Sequence, residues 1–441
     1  METRREFIKT MATAAAVASA SRPILGANDR VRMAVIGTGS RGSMVNRFFR
    51  THADCEFVAA CDVRKTRLDQ AIKDIGGNVQ GYSDYRRILE RKDIDALLVT
   101  TPDHWHGPIV AQGCAAGKDS YVEKPMTHTI EDAVMAVEAA KKYKRIVQLG
   151  VQQRSGAHFL ECVKMIQDGY IGKVSHCVLN QPGSYGGVMQ PTAPVPEDLD
   201  WEMFQGPAPR KPFSPSYLRW RAFYMYGGGL MTDWGVHLTD IALLAMKADG
   251  KAPIHTAASS QYVGFPKDLE QFPDVFTSAW QYDDFLMTFT NIQLPSTEFP
   301  TNGNYFYGTR GVLHVNRAGY RILPQAQRGA MAPPRAAGAA GEAGRGAGGA
   351  RGAGAPAAAA PPVPQTPPLE AKTFKQEEQY NDDPHTKAHA RNFLDCVKSR
   401  KSPAADITGP GFYVTLPCLL GRLAVKEGKA YRWDGTKAVA V

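Results

Sequence analysis

Three side chains in this sequence could do chemistry on a hydroxyl group: Lys124, Asp233 and His237. An ammonium beside an alcohol lowers the cost of a developing negative oxygen. An imidazole with a pKa of about 6.5 both takes and returns a proton. Asp233 and His237 are four residues apart in a segment that reads as a helix running on through Leu238, Ile241 and Leu244. That spacing puts both side chains on one face. Together the three suit the proton half of an alcohol oxidation, which the protein must supply. The bland alternatives are a lysine in a surface turn, and a helix start capped by Asp233 with a structural histidine. Gly227-Gly228-Gly229 just upstream lets backbone approach a ligand, or simply makes a loop.

The other half of such a reaction needs an acceptor for the hydride, and the N-terminal third of the chain offers a place for one. Arg32 to Ile36 is a short apolar run, as a buried parallel strand should be. It enters Gly37-Thr38-Gly39-Ser40-Arg41-Gly42, then a segment readable as a helix from Ser43 to His52. Strand before and helix after is the context a dinucleotide fingerprint requires. Gly37 permits the tight turn, Gly39 the approach of a pyrophosphate, and Gly42 close helix–strand packing. The helix start then faces the anion with free N–H groups. A second strand, Glu56 to Cys61, ends at Asp62, placed for the ribose hydroxyls of NAD. Arg64 and Arg41 are close enough in sequence to cap the 2′-phosphate of NADP instead; the acid favours NAD.

The βαβ rhythm continues through helices at Lys65–Ile75 and Asp84–Arg91 and a strand at Ala96–Thr100. That strand ends in Thr101-Pro102-Asp103-His104-Trp105-His106. A helix follows at Ile109–Ala116, then a strand at Asp119–Val122 ending in Glu123-Lys124-Pro125, and a strand at Ile146–Leu149. Ligands of doubly wound sheets sit beyond the carboxyl ends of strands, where both polar clusters fall. Thr101, Pro102, His104, His106, Glu123 and Gln152 are expected around the cofactor, with the two histidines lining the cleft and Pro102 and Trp105 packing behind. His104 and His106 have no third partner at metal-ligand spacing, so no metal is expected. Arg154, Tyr185, Trp220 and Arg221 are the substrate-side candidates, since aromatics and arginines suit sugar faces and hydroxyls.

With these motifs, the sequence resembles the glucose–fructose oxidoreductase/inositol dehydrogenase/MocA family. Gly37-Thr38-Gly39, the Thr101–His106 run, Glu123-Lys124-Pro125 and Asp233-Trp234-Gly235-Val236-His237 carry the resemblance, over residues 31–325 and 371–441. It implies an α/β fold: an N-terminal Rossmann domain, then an α/β domain with a largely antiparallel open sheet that often mediates oligomers. It also implies Lys124 at the nicotinamide, His237 as base or proton relay, Asp233 orienting substrate, and a sugar or polyol as substrate. Strand-like segments at Lys173–Leu179, Ala279–Tyr282 and Phe285–Ile292 suit the second sheet.

The 441-residue length is that of a two-domain chain. Its net charge of +9 is concentrated outside the folded parts. More than half the excess comes from the first thirty residues and the Ala/Gly/Pro/Arg tract at 326–369, so no nucleic-acid partner is needed to explain it. The tract cannot bury enough apolar surface to order itself, and is expected to be a disordered insertion. Helices at His389–Lys401 and Tyr413–Lys426 return the chain to the second domain, giving domains at 30–150 and at 151–325 with 370–441. Seven scattered cysteines suggest buried thiols, not a disulfide framework. Thr3-Arg4-Arg5-Glu6-Phe7-Ile8-Lys9, followed by an Ala-rich run, resembles a twin-arginine export signal over residues 1–29. The run is too short to span a bilayer, so no stable membrane anchor is expected. Periplasmic export through the twin-arginine translocase implies a tightly bound cofactor regenerated in place. That fits an enzyme passing hydride between sugars. The alternatives are a glycoside hydrolase using transient sugar oxidation, and a non-catalytic sugar or nucleotide sensor.

Overall fold

The computed structural model describes residues 30–267, 270–293, 301–324, 369–375 and 383–441. The segment read as an export signal, and the 326–369 tract but for its last residue, lie outside the described residues.

The first domain alternates strand and helix. Its elements are β1 (Val31–Ile36), α1 (Ser40–Phe49), β2 (Cys55–Cys61), α2 (Lys65–Ile75), β3 (Gln80–Tyr82), α3 (Arg86–Leu89), β4 (Ala96–Val99), α4 (Asp103–Ala115), β5 (Asp119–Glu123), α5 (Ile130–Tyr143) and β6 (Val147–Gly150). The strands form one parallel sheet in the order β3-β2-β1-β4-β5-β6, which reverses between β1 and β4. β4, β5 and β6 are buried along their whole length, as strands covered on both faces must be. α4 begins at Asp103, six residues before the start expected from sequence, with Gly107 and Pro108 inside it. α1 likewise starts at Ser40, inside the glycine loop.

The second domain continues with α6 (Ala157–Gln167), β7 (Val174–Asn180), α7 (Trp201–Gln205), α8 (Gly229–Asp233) and α9 (Gly235–Ala245). Strands β8 (His255–Gln261), β9 (Val275–Gln281), β10 (Leu286–Thr290), β11 (Gly303–Gly308), β12 (Gly311–Asn316), β13 (Gly319–Pro324) and β14 (Lys372–Lys375) follow. The chain closes with α10 (Pro384–Ser399), α11 (Pro410–Glu427), β15 (Tyr431–Trp433) and β16 (Ala438–Ala440). Ten strands form one open sheet, antiparallel except where β7 runs parallel to β10. Along β9, Phe276, Ser278 and Trp280 point inward while Thr277, Ala279 and Gln281 face out, the alternation of a sheet covered on one face. Its inner face packs Trp280, Met287, Phe289 and Phe306 against Val236 and Ile241 of α9 and Leu416 and Leu420 of α11.

One boundary differs from expectation. Residues from 370 onward do not all return to the second domain. α10 inserts Ala390, Phe393, Leu394 and Val397 into the first domain's core, beside Met33, Phe49 and Tyr121. Phe393 meets Phe49 edge-on with ring centroids 5.9 Å apart. An amphipathic helix goes where its apolar face finds cover, and here that cover is the Rossmann sheet.

Candidate active site

The dinucleotide fingerprint forms a cradle of backbone at the end of β1. Gly37 has a φ of +88°, and a Cβ there would stand 2.7 Å from the backbone of Thr100 and Thr101. A Cβ at Gly42 would stand 2.0 Å from the Gly37 carbonyl oxygen. Both positions therefore demand glycine. Gly39 is different: its nearest neighbour would be an Arg67 nitrogen at 3.6 Å, so the space it leaves is free for a ligand. Asp62 locks the loop from the end of β2. Its Oδ2 accepts from the Thr38 N–H at 2.7 Å and the Thr38 hydroxyl at 3.0 Å, and its Oδ1 from the Arg64 N–H at 2.8 Å.

Gly37, Gly39, Ser40, Arg41, Asp62, Thr101 and Pro102 line a cavity of about 260 Å³. Trp220 and Arg221 of the second domain close it from above, with Met203, Phe204 and Leu218. The Thr101 hydroxyl is buried there with no hydrogen-bond partner among the described residues, as a group awaiting a ligand would be. An open glycine at a helix start, a ribose-side carboxylate and an orphaned hydroxyl in one crevice fit an NAD-like dinucleotide.

Several expected placements are corrected here. Arg64 is not free to cap a 2′-phosphate, because its Nε ion-pairs with Asp198 at 3.0 Å. Arg41 is also committed, to Glu123 at 2.8 Å, so Glu123 holds Arg41 and does not face the cofactor crevice. Gln152 is buried beside them, its amide placed to accept from Arg41 at 3.3 Å and donate to the Gly150 carbonyl at 3.1 Å. His104 and His106 pack behind the crevice instead of lining it, while Trp105, expected as packing, lines it beside Pro102. His104 donates from Nε2 to the Phe204 carbonyl at 3.0 Å, and His106 lies between the Thr101 and Pro125 carbonyls. The early start of α4 is the cause: helical spacing turns Trp105 outward and both histidines inward. Arg154 is no substrate group either. It is buried in an ion pair with Asp240 and donates to the Ala404 carbonyl.

The reaction centre gathers at the carboxyl end of β5. Lys124 follows β5 and points its Nζ at Asp233, 2.5 Å from Oδ1 and 2.8 Å from the carbonyl oxygen. Arg221 donates from Nε to the same Oδ1 at 3.1 Å, and the Tyr185 hydroxyl donates to Oδ2. Burial alone would raise the Asp233 carboxyl. The Lys124 ammonium, the Arg221 guanidinium and the Lys124 and Tyr185 hydrogen bonds together hold it far below the usual carboxylate range. The expected helix breaks at Trp234, so Asp233 ends α8 and His237 lies in the first turn of α9. His237 still belongs to the centre. It is 3% exposed and its Nδ1 has no partner among the described residues. Burial, then the charges of Lys124, Arg317 and Arg41, push its imidazole well below its ordinary value. Arg221 also stacks on Trp220, its guanidinium carbon 4.2 Å from the ring centroid.

Sequence reasoning missed Arg67, Ser83 and Tyr85 on the crevice wall. Arg67 lies on α2, three residues past Arg64, so helical placement was the only signal. Among the described residues no group of three His, Cys, Asp or Glu side chains could hold a metal, and no helix is long and apolar enough to cross a membrane. All seven cysteines are buried free thiols.

The architecture and the site together agree with what the chain resembles. Residues 31–151 match the oxidoreductase family's NAD-binding Rossmann fold, and residues 183–316 match the same family's C-terminal alpha/beta domain. Among curated relatives, glycosyl hydrolase family 109 protein 2 of Shewanella sp. (strain ANA-3) is 30% identical over 203 residues, 39% of this chain and 44% of the relative. A glycosyl hydrolase family 109 protein of Shewanella baltica (strain OS195) is 31% identical over 160 residues, 34% of each chain. The chain thus spans less than half the length of these relatives. Levoglucosan dehydrogenase in complex with NADH and L-sorbose superposes with a TM-score of 0.64 at 14% identity, covering 93% of this chain and 100% of that one. Aldose-aldose oxidoreductase from Caulobacter crescentus, complexed with glycerol, gives 0.60 at 16% identity, covering 92% and 100%. At such identities these two establish the shared fold. With both domains of one family matched in order on a chain that folds accordingly, this chain belongs to the Gfo/Idh/MocA oxidoreductase family.

Proposed function

We propose that this chain oxidises and re-reduces a secondary hydroxyl of a sugar or polyol, using NAD held in the crevice between its domains. One observation carries the reading: Lys124, at the carboxyl end of β5, is clamped by Asp233, and Asp233 is bonded to Arg221, which lines the same crevice as the glycine cradle. When bound, the nicotinamide accepts and returns the hydride. The protein does the rest. Gly39 admits the pyrophosphate to the backbone, Gly37 and Gly42 shape the turn and helix packing around it, and Asp62 presents its carboxylate to the ribose. That carboxylate, together with the commitment of Arg41 and Arg64 elsewhere, favours NAD over NADP. Lys124 stabilises the oxygen of the reacting alcohol, Asp233 and Tyr185 hold the ammonium in place, and His237 offers a neutral ring for a passing proton. Trp220 and Arg221 form the substrate wall. The leader resembling a twin-arginine signal supports export of the folded, loaded enzyme to the periplasm and a redox-neutral cycle there. The open sheet suits a homo-oligomer.

The test is to load the protein with NAD⁺, add a panel of sugars, aldonates and polyols, and follow the fluorescence of reduced nicotinamide. Reduction by at least one of them supports the reading, and none across a broad panel overturns it. A second reading, NAD-dependent glycoside cleavage, draws on the curated relatives at 30–31% identity. It predicts release of the aglycone from chromogenic glycosides with no net change in bound cofactor.

A further inference from the structure

The turn that follows β2 is held from outside its own domain. Residues 63–66 are clasped by residues 198–200, where the irregular segment that carries Tyr185 leads into α7. Part of the clasp is backbone. The Lys65 N–H donates to the Asp198 carbonyl at 2.7 Å, the Asp200 N–H donates to the Val63 carbonyl at 2.8 Å, and Arg64 bridges Leu199 in the antiparallel sense. One side chain completes it. Asp198 Oδ2 accepts from Arg64 Nε at 3.0 Å and from the Thr66 hydroxyl at 2.6 Å. The second domain thus decides where the Arg64 guanidinium points.

What Arg64 is kept from follows from the same turn. Its N–H donates to Asp62 Oδ1 at 2.8 Å, so its backbone sits against the carboxylate that faces the ribose. Val63 before it and Arg67 one helical turn later both line the crevice, and Arg64 does not. Arg67 serves the other end of the dinucleotide, with a nitrogen 3.6 Å from a Cβ built on Gly39, where the pyrophosphate belongs. The arginine nearest Asp62 in the chain is therefore the one turned out of the crevice. NADP differs from NAD by a strongly anionic 2′-phosphate, and a guanidinium is the group that recognises it through charge-assisted, bidentate bonds.

We propose that Asp198 is a specificity-determining residue: by holding Arg64 it denies a 2′-phosphate its partner and keeps the crevice for NAD. The inference rests on the dinucleotide-dependent reading above, and adds to it a determinant that comes from the second domain. Two carboxylates divide the task. Asp62 offers the ribose hydroxyls an acceptor, and Asp198 withdraws the guanidinium that would bind a phosphate in their place. Truncating Asp198 leaves the backbone bonds of the clasp intact. Arg64 then loses its ion pair but not its place beside Asp62, and its side chain is free to turn to the ribose. NAD carries a hydroxyl at that position and gains no new partner from the change.

The test measures NAD⁺ and NADP⁺ binding by calorimetry to the full chain, to Asp198→Ala and Asp198→Asn, and to the double variant Arg64→Ala/Asp198→Ala. The wild type is expected to prefer NAD⁺. Asp198→Ala is expected to raise the NADP⁺ to NAD⁺ affinity ratio about tenfold or more, as one charge-assisted bond would. Asp198→Asn is expected to move the ratio in the same direction. The double variant is expected to lose the gain, because the guanidinium is gone. NAD⁺ binding itself reports that each variant is folded at the site. A wild type that binds NADP⁺ as tightly as NAD⁺ overturns the proposal without any variant. A ratio unmoved in the two Asp198 variants overturns it too, as does a gain that persists without Arg64. If the wild type binds neither nucleotide, the functional reading itself fails and this inference with it.

Discussion

The dinucleotide crevice and the reaction centre lie side by side, yet they are built by opposite means. The crevice is a matter of backbone: two glycines that tolerate no Cβ, one that leaves open space, and a carboxylate 24 residues from the threonine it locks. The reaction centre is a matter of side chains from distant elements, with Lys124 reaching across 109 residues to Asp233 and Tyr185 across 48. The first sets where a ligand can lie. The second sets what happens to it. If that division is right, each region can be damaged without the other.

The largest effect should come from removing the ammonium. Lys124→Met is expected to lower kcat by about 10²–10³-fold while leaving NAD⁺ affinity within a few-fold. Steady-state rates beside a fluorescence binding titration check both halves, and a comparable loss of affinity would break the comparison. Next is a contrast inside the crevice. Gly42→Ala forces a Cβ against the Gly37 carbonyl and should cost about 1–3 kcal/mol of stability, read as a lower melting temperature. Gly39→Ala should melt like the wild type and weaken NAD⁺ binding about tenfold or more, because its Cβ enters ligand space only.

A smaller effect concerns acid. His104 and His389 are buried with values lowered to about 4, and His237 is pushed down as well, chiefly by burial in each case. Below about pH 6.5 the unfolded chain binds more protons than the folded one, so stability falls as pH drops toward the folded values, by up to about 1.4 kcal/mol per unit for each ring. Melting temperature against pH should show this slope, and His237→Asn should flatten it. The smallest effect should follow removal of residues 326–369. β13 and β14 on either side already pair, Tyr320 with Phe374 and Ile322 with Lys372. With a short linker the shortened chain should keep its NAD⁺ affinity and rate; a large loss would give the tract a part in the enzyme.

The same contrast explains what could be read beforehand. The glycine loop, Asp62 and the Rossmann strands were legible because each signal lies within a few residues of its structural partner. Lys124, Asp233 and His237 were recognisable one by one, but their order in the cluster was not. The helix break at Trp234, the Tyr185 hydroxyl on Asp233 and the commitment of Arg64 to Asp198, 134 residues away, all depend on tertiary packing. The clearest miss has a local cause. A helix was expected only from Ile109, just past Gly107 and Pro108. It begins at Asp103 instead, which reverses the facing of His104, Trp105 and His106. The placement of α10 on the Rossmann sheet was illegible for a different reason: its apolar face does not say which core it joins.

The most direct measurement is the nucleotide content of the protein purified without added cofactor. After denaturation, the account predicts that the supernatant holds NAD⁺ or NADH, and that any protein found empty takes up NAD⁺ in preference to NADP⁺. A protein that carries no dinucleotide and binds none on titration would contradict it.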